Sequence, residues 1–105
     1  MAGLPQIPKG CPWSYVDERR ASILGEELKR EISHGHPLFR LCSRLQVLAS
    51  CEANDDILAF RTDVENELFC IHLTWAGEQN RLSENSPTFQ TINRGDLSQF
   101  FADYC

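Results

Sequence analysis

The sequence lacks the features that mark membrane, secreted or nucleic-acid-binding proteins. No apolar run approaches the ~20 residues that cross a bilayer, and residues 1–12 have neither the basic start nor the apolar segment of a signal peptide. The chain carries 10 Lys and Arg against 15 Asp and Glu, spread along its length, so no basic patch is available to bind a phosphate backbone. We therefore expect a cytoplasmic protein that binds neither nucleic acid nor a membrane.

Motifs for catalysis and metal binding are missing as well. The sequence contains no P-loop, GxGxxG, GxSxG or HExxH string, which removes support for the enzyme classes that these motifs mark. Its 5 cysteines form no CxxC pair, and three of them lie in apolar runs, where Cys behaves as a small hydrophobic residue. We predict that all five are reduced thiols and that the chain holds no cofactor.

The composition that is present is that of one globular domain. Of the 105 residues, 42% are hydrophobic and 24% are charged, close to the average for globular proteins. Residues 1–12 contain three prolines and two glycines without periodicity, which predicts a disordered leader. Residues 13–105 are expected to form a single domain around one core.

An amphipathic helix is predicted to begin near Tyr15. Ser14 and Asp17 have the spacing of a capping box, with Asp in the place of the usual Glu. Apolar residues spaced by threes and fours form the inward face of this helix: Val16, Ile23, Leu24, Leu28 and Ile32. The helix therefore packs against another element.

The exposed side and the end of this helix are also predicted. Glu26 and Arg30 have the i,i+4 spacing of an ion pair on the solvent side. The helix is expected to stop within residues 33–37, where Gly35 suits a left-handed C-cap and Pro37 cannot continue the helix.

Three strands are predicted next, joined by short turns into an antiparallel meander. In the first, residues 41–51, alternate positions are apolar and share a face: Leu45, Val47, Ala49 and Cys51. The second is Ile57–Arg61, after a turn at residues 54–56. The third, Leu68–Trp75, alternates most regularly, with Phe69, Ile71, Leu73 and Trp75 on one face and Cys70, His72 and Thr74 on the other.

The C-terminal part adds a loop, a fourth strand and a helix. Ala76–Pro87 is polar and of a length at which loops are often functional, so it is the best candidate for a moving part. Thr88–Ile92 suits a strand, and Asp96 is expected to cap a helix whose inward residues are Leu97, Phe100, Phe101 and Tyr104. The predicted fold class is α+β: an N-terminal amphipathic helix, an antiparallel three- to four-stranded meander sheet covered by helices on one face, and a short C-terminal helix.

Several segments resemble a family of small bacterial proteins of unknown function. The similar stretches are His36–Phe39, Asp56–Phe60, Ile71–Gly77 and Pro87–Phe89. Members of that family share a helix leading to a Gly-His-Pro turn, an Asp-led strand, a His-Leu-Thr-Trp strand and paired aromatics near the C-terminus. The resemblance covers roughly residues 21–101 and implies no activity, so it assigns no catalytic residue.

The candidate binding residues are polar or aromatic groups on the third strand and in its surroundings: His36, His72, Thr74, Trp75 and Glu78. A Cys70–His72 nucleophile pair is disfavoured because strand neighbours on one face stand ~7 Å apart. His72 is instead expected to be structural, with a hydrogen bond to an adjacent strand or to a residue such as Asp56. No metal ligand is assigned, because no spacing supplies a complete ligand set.

Three functions remain open from the sequence. The first is a non-catalytic protein-binding module, such as an inhibitor, an immunity protein or an accessory subunit. The second is a small enzyme or metal-dependent protein that uses His34, His36 or His72. The third is a homodimer formed through the edge strands of the sheet.

Overall fold

The computed structural model describes residues 4–64, 66–74 and 87–105. Within these residues the chain runs strand, helix, four strands and helix. The strands are β1 (Trp13–Tyr15), β2 (Leu45–Cys51), β3 (Asp56–Arg61), β4 (Glu67–His72) and β5 (Phe89–Asn93), and the helices are α1 (Glu18–Glu31) and α2 (Leu97–Tyr104). The fold class is α+β, as predicted, with the N-terminal helix, the antiparallel sheet and the short C-terminal helix all present.

The described residues form one sheet of five strands in the order β1-β2-β3-β4-β5, in which every neighbouring pair is antiparallel. Strands β2 to β5 are the expected meander. The extra strand is β1, which pairs with the end of β2 so that Trp13 lies opposite Cys51. The sequence had placed the helix start close to these residues, so the predicted count of three to four strands was too low.

Helix α1 begins later than predicted because Asp17, and not Ser14, is its N-cap. The Asp17 carboxylate accepts a hydrogen bond from the Arg20 amide at 2.7 Å, which satisfies one of the unpaired donors of the first turn. At the other end Ile32 is already extended. Gly35 does not take a positive φ, so the expected glycine cap is absent.

The inward face of α1 is narrower than its apolar pattern. Leu24, Leu28 and Ile32 are buried, but Ile23 is 47% exposed. Arg30 pairs with Glu27 at 3.0 Å and not with Glu26. The polar residue Glu27 thus occupies part of the buried face that had been assigned to apolar residues.

Strand β2 changes the face it presents halfway along its length. Ala59 lies opposite Val47 and Leu58 lies opposite Ala49, so Leu48 is an extra residue in the pairing with β3. An extra residue of this kind reverses the side-chain alternation beyond it. Val47 therefore packs on the α1 side and Ala49 on the α2 side, whereas strict alternation had placed both on one face.

The sheet is covered on both faces. Leu24, Leu28 and Ile32 of α1 pack with Ile57, Ala59, Phe69 and Ile71. Leu97 and Phe101 of α2 pack on the opposite face with Trp13, Leu58, Leu68 and Ile92. The expectation of helices on a single face was wrong, because Leu58 and Leu68 alternate with the residues that meet α1 and form a second apolar surface.

Helix α2 follows a short 3₁₀ turn, Arg94–Asp96. The Asn93 side chain accepts a hydrogen bond from the Gly95 amide at 2.9 Å, while the Asp96 side chain makes no capping bond to α2. Of the residues predicted to face inward, Leu97 and Phe101 are fully buried, whereas Tyr104 is 37% exposed.

Residues 4–12 contact the core on the α2 side of the sheet. Leu4, Ile7 and Cys11 pack against it, and Cys11 forms a disulfide with Cys105. The prediction that all five cysteines are reduced was wrong for this pair, while Cys42, Cys51 and Cys70 are free thiols. The bond joins the segment that contains Cys11 to Cys105, the residue that follows α2.

None of the helices in the described part of the chain is long and apolar enough to cross a membrane.

Candidate functional site

The predicted site residues lie on different sides of the sheet. Thr74 bonds to Glu31 of α1, and His36 bonds to Pro87, which precedes β5. His72 lines a cleft on the opposite face of the sheet, beside Cys70. Trp75 and Glu78 fall outside the described residues. The structure therefore does not gather His36, His72 and Thr74 into one site.

His36 is a buried structural residue, only 3% exposed. The Leu38 amide donates to its Nδ1 at 3.0 Å, so Nδ1 is an acceptor and the ring proton resides on Nε2. Nε2 donates to the Pro87 carbonyl oxygen at 2.7 Å. Both ring nitrogens are occupied, which leaves neither for a metal ion or for proton transfer.

As His36 bonds to Pro87, the residue after segment 75–86, Glu31 bonds to Thr74, the residue before it. Its Oε1 accepts hydrogen bonds from the backbone amide and the hydroxyl of Thr74, at 2.8 and 2.9 Å. Glu31 itself is only 7% exposed. Thr74 and Pro87, the residues on either side of segment 75–86, are thus held by Glu31 and His36, at the end of α1 and in the turn that follows it.

Glu27 and Glu31 form a buried carboxyl pair one turn apart on α1. The hydrogen bond to Glu31, burial and the charge of Glu31 raise the pKa of Glu27 to about 7, and the Arg30 guanidinium offsets this in part. Oε2 of Glu27 is buried and has no hydrogen-bond partner within the described residues. A proton on Glu27 turns it into a donor to Glu31, which explains how two carboxyls share a buried position.

Neither Glu27 nor Glu31 was predicted from the sequence as a site residue. Glu27 and Glu31 lie three and seven residues after Leu24, and Glu31 directly precedes Ile32, so they belong to the inward face of the helix. That spacing was the available signal. It was hidden because Glu is usually assigned to solvent.

His72 makes the hydrogen bond that was predicted for it. Its Nδ1 lies 2.6 Å from Oδ1 of Asp56, the residue directly opposite on β3. Leu73 and Asp55 share a backbone hydrogen bond, so the alternating pattern makes Asp56 and His72 a non-hydrogen-bonded pair, in which side chains approach most closely. His72 is 52% exposed, and its Nε2 makes no hydrogen bond within the described residues.

A shallow cleft of about 190 Å³ adjoins this pair, and Cys70, Thr88 and Gln90 contribute to its lining. Burial, followed by the charges of Asp56 and Cys51, raises the pKa of the Cys70 thiol to about 12. A thiol with that pKa stays protonated at neutral pH and is a poor nucleophile. The cleft offers hydrogen-bonding groups, but it has no activated cysteine.

His34 lies apart from both locations, with its ring stacked 4.4 Å from that of Phe39. Across the described residues, no group of three His, Cys, Asp or Glu side chains is placed to hold a metal ion.

The outer edge of β5 presents backbone groups that have no partner within the described residues. His72 donates to the Thr88 carbonyl and Arg94 donates to the Asn66 carbonyl, so the even-numbered residues of β5 bond to β4. The N–H and C=O groups of Phe89, Thr91 and Asn93 consequently point away from the sheet. No strand lies beyond β5 in the described part of the chain.

Any assignment of function to this chain depends on its own fold and on the sites described above. No protein-family model, no curated protein and no solved structure matches the chain significantly. The resemblance to a bacterial family therefore stays a prediction.

Proposed function

We propose that the protein is a non-catalytic protein-binding module that binds an extended segment of its partner along the outer edge of β5. The observation that carries the proposal is the row of outward N–H and C=O groups on Phe89, Thr91 and Asn93. A free sheet edge of this kind adds a strand from another chain through backbone hydrogen bonds.

The chemistry of the other locations supports a binding role over a catalytic one. Both nitrogens of His36 are occupied by Leu38 and Pro87, and Cys70 is held as a protonated thiol. His72 Nδ1 is bonded to Asp56 and not to Cys70, and its Nε2 makes no hydrogen bond within the described residues. An inhibitor, an immunity protein or an accessory subunit can recognise its partner through a free strand edge without any catalytic group.

The test compares two substitutions at the centre of the edge. Thr91→Pro removes an outward N–H without removing a bond to β4, and proline is tolerated on edge strands. Thr91→Ala is the matched control, because it shortens the side chain and keeps the N–H. Affinity capture from the native host should recover the same partner with wild type and Thr91→Ala, and not with Thr91→Pro.

Equal capture by all three proteins would contradict the proposal. Circular dichroism of each variant shows that a loss of capture does not come from unfolding.

A small enzyme is the second candidate, and the His72–Asp56 pair is the observation that favours it. The carboxylate at 2.6 Å fixes the imidazole with its proton on Nδ1 and leaves Nε2 as an acceptor beside the cleft. Turnover by the wild type that disappears in a fully stable His72→Gln variant would support this candidate.

The cellular location is also a proposal. The sequence analysis predicted a cytoplasmic protein, whereas a disulfide such as Cys11–Cys105 persists mainly in oxidising compartments. Fractionation of the native host, with detection of the protein in each compartment, distinguishes the two.

A further inference from the structure

The two edges of the described sheet are not equivalent. β1 has three residues and follows Pro12, which has no N–H to donate, and the Tyr15 hydroxyl donates to the Pro5 carbonyl. β5 has five residues, Phe89–Asn93, with no charge and no proline, and it pairs with β4 without a bulge. Natural sheets protect their edges by short strands, charge, proline, bulges or a covering segment, and within the described residues β5 has only its modest length.

The outward groups of β5 are complementary to themselves. If a second copy of β5 lies antiparallel with Thr91 opposite the partner's Thr91, then Phe89 faces the partner's Asn93, and Asn93 faces the partner's Phe89. All three pairs consist of residues whose N–H and C=O point outward, and each pair exchanges two hydrogen bonds. The arrangement has the two-fold symmetry that is commonest among homodimers.

Shifted alignments match fewer groups. Moving the axis to Gln90 places Asn93 opposite the partner's Pro87, which has no N–H. Moving it to Ile92 places Phe89 opposite the partner's Gly95, which lies in the 3₁₀ turn and not in the strand. The alignment centred on Thr91 is the one that pairs every outward residue of β5 with another residue of β5.

The side chains agree with this alignment. The exposed Thr91 meets another Thr, a favourable cross-strand pair, and Gln90 lies opposite the partner's Ile92. No charged residue occurs between Phe89 and Asn93, so the formal charge of −5 on each copy brings no like charges together within the strand pair. An uncharged strand also needs no complementary charge from a different protein.

We infer that two copies of this chain pair through β5 about a two-fold axis at Thr91 and form one continuous sheet. The inference rests on the proposed binding edge and names a second copy as its occupant. Because a single strand pair is a small interface, the dimer should depend on protein concentration.

Sedimentation equilibrium over a range of concentrations tests the inference with wild type, Thr91→Ala and Thr91→Pro. Wild type and Thr91→Ala should dimerise, and Thr91→Pro should weaken the dimer by at least about tenfold, because each copy loses a donor at the axis. A monomeric wild type at every concentration, or an unchanged dimer in Thr91→Pro, would overturn it.

A charge-swap pair tests the alignment and protects against misfolding of the proline variant. Thr91 is exposed, so Thr91→Lys and Thr91→Glu should both fold. Each should be monomeric alone, because like charges meet at the axis, and their mixture should form a heterodimer. Failure of the mixture to associate while wild type dimerises would overturn the Thr91 alignment.

Amide hydrogen exchange gives an independent readout. Amides of Phe89, Thr91 and Asn93 should exchange more slowly as the concentration rises, while those of Gln90 and Ile92 are already bonded to β4. Exchange that is independent of concentration at all three outward amides would count against pairing through this edge.

These outcomes separate the inference from the proposed function. A monomeric protein that loses a host partner through Thr91→Pro overturns the second copy as occupant and keeps the binding edge. A monomeric protein whose Thr91→Pro variant captures the partner normally overturns both.

Discussion

Glu27 and Glu31 place two carboxyl groups within the buried side of one helix, and their position has a consequence for pH. In the folded protein the pKa of Glu27 is about 7, against an ordinary value of 4.5. Between these values the folded state binds more protons than the unfolded state, so stability falls as the pH rises. The stability that the proton on Glu27 contributes is fully present below about pH 4.5 and is lost as the pH rises through about 7.

Glu27→Gln should remove that part of the pH dependence. The Gln amide donates to Glu31 as the protonated carboxyl does, but it does not titrate. Urea unfolding from pH 4.5 to 8 should show a smaller decline in stability for Glu27→Gln than for wild type. Glu26→Gln, the same change at an exposed neighbour, is the control and should follow the wild-type curve; identical slopes for all three proteins would refute the shared proton.

His72 allows a comparison between a structural and a functional role. His72→Gln keeps a polar group near Asp56 and should cost about 0.5–2 kcal/mol, whereas His72→Leu also leaves the carboxylate without its partner and should cost more. Partner binding should be unchanged in both. Thermal unfolding and partner affinity are measured on both variants. A loss of affinity at full stability would show that His72 has a binding or catalytic role and not a structural one.

At this scale the sequence was informative about local pairs and uninformative about distant ones. The His72–Asp56 bond was anticipated because both residues fall on strands that a short turn makes adjacent. The contacts from His36 to Pro87 and from Glu31 to Thr74 join residues 51 and 43 positions apart. Such contacts depend on how α1 lies on the sheet, which a pattern of apolar residues does not specify.

At the scale of elements, α1 is held by its buried leucines. Leu28 is 2% exposed in the core between α1 and the sheet, so Leu28→Ala should leave a cavity and cost about 2–5 kcal/mol of stability. Ile23→Ala is the matched control on the same helix, because Ile23 is 47% exposed, and it should change stability by less than about 0.5 kcal/mol. Chemical denaturation of both variants checks the difference, and equal costs would mean that the helix packs by another face.

Most elements could be predicted because each carries its own pattern. The alternation in β4 and the spacing of threes and fours in α1 gave the correct types, and the turns between strands gave the meander. β1 was missed because three residues are too few for a pattern. The extra residue at Leu48 was missed because a bulge is visible only through the partner strand. The expectation of a single covered face came from the order of the elements, which does not show that Leu58 and Leu68 form a second apolar surface.

At the scale of the whole molecule, the Cys11–Cys105 disulfide joins residues 94 positions apart. A bond that closes so long a loop restricts the unfolded chain and stabilises typical proteins by about 2–5 kcal/mol. Cys11→Ser combined with Cys105→Ser should lower stability by that order, whereas Cys42→Ser, at a free cysteine, should have a smaller effect. Denatured protein purified without reductant should titrate as three free thiols, and five would restore the reduced state expected from the sequence.

The sequential order of the strands also bears on how the chain folds. β2, β3, β4 and β5 each pair with a neighbour in the sequence, and contacts between nearby residues form with little loss of chain entropy. β1 and β2 are separated in the sequence by α1, so their pairing closes a longer loop. Cys105 can meet Cys11 only after α2 has packed on the face of the sheet opposite α1. We therefore expect the meander to gain amide protection early in refolding, and the β1–β2 pairing to form late, with the disulfide closing a structure that is already assembled.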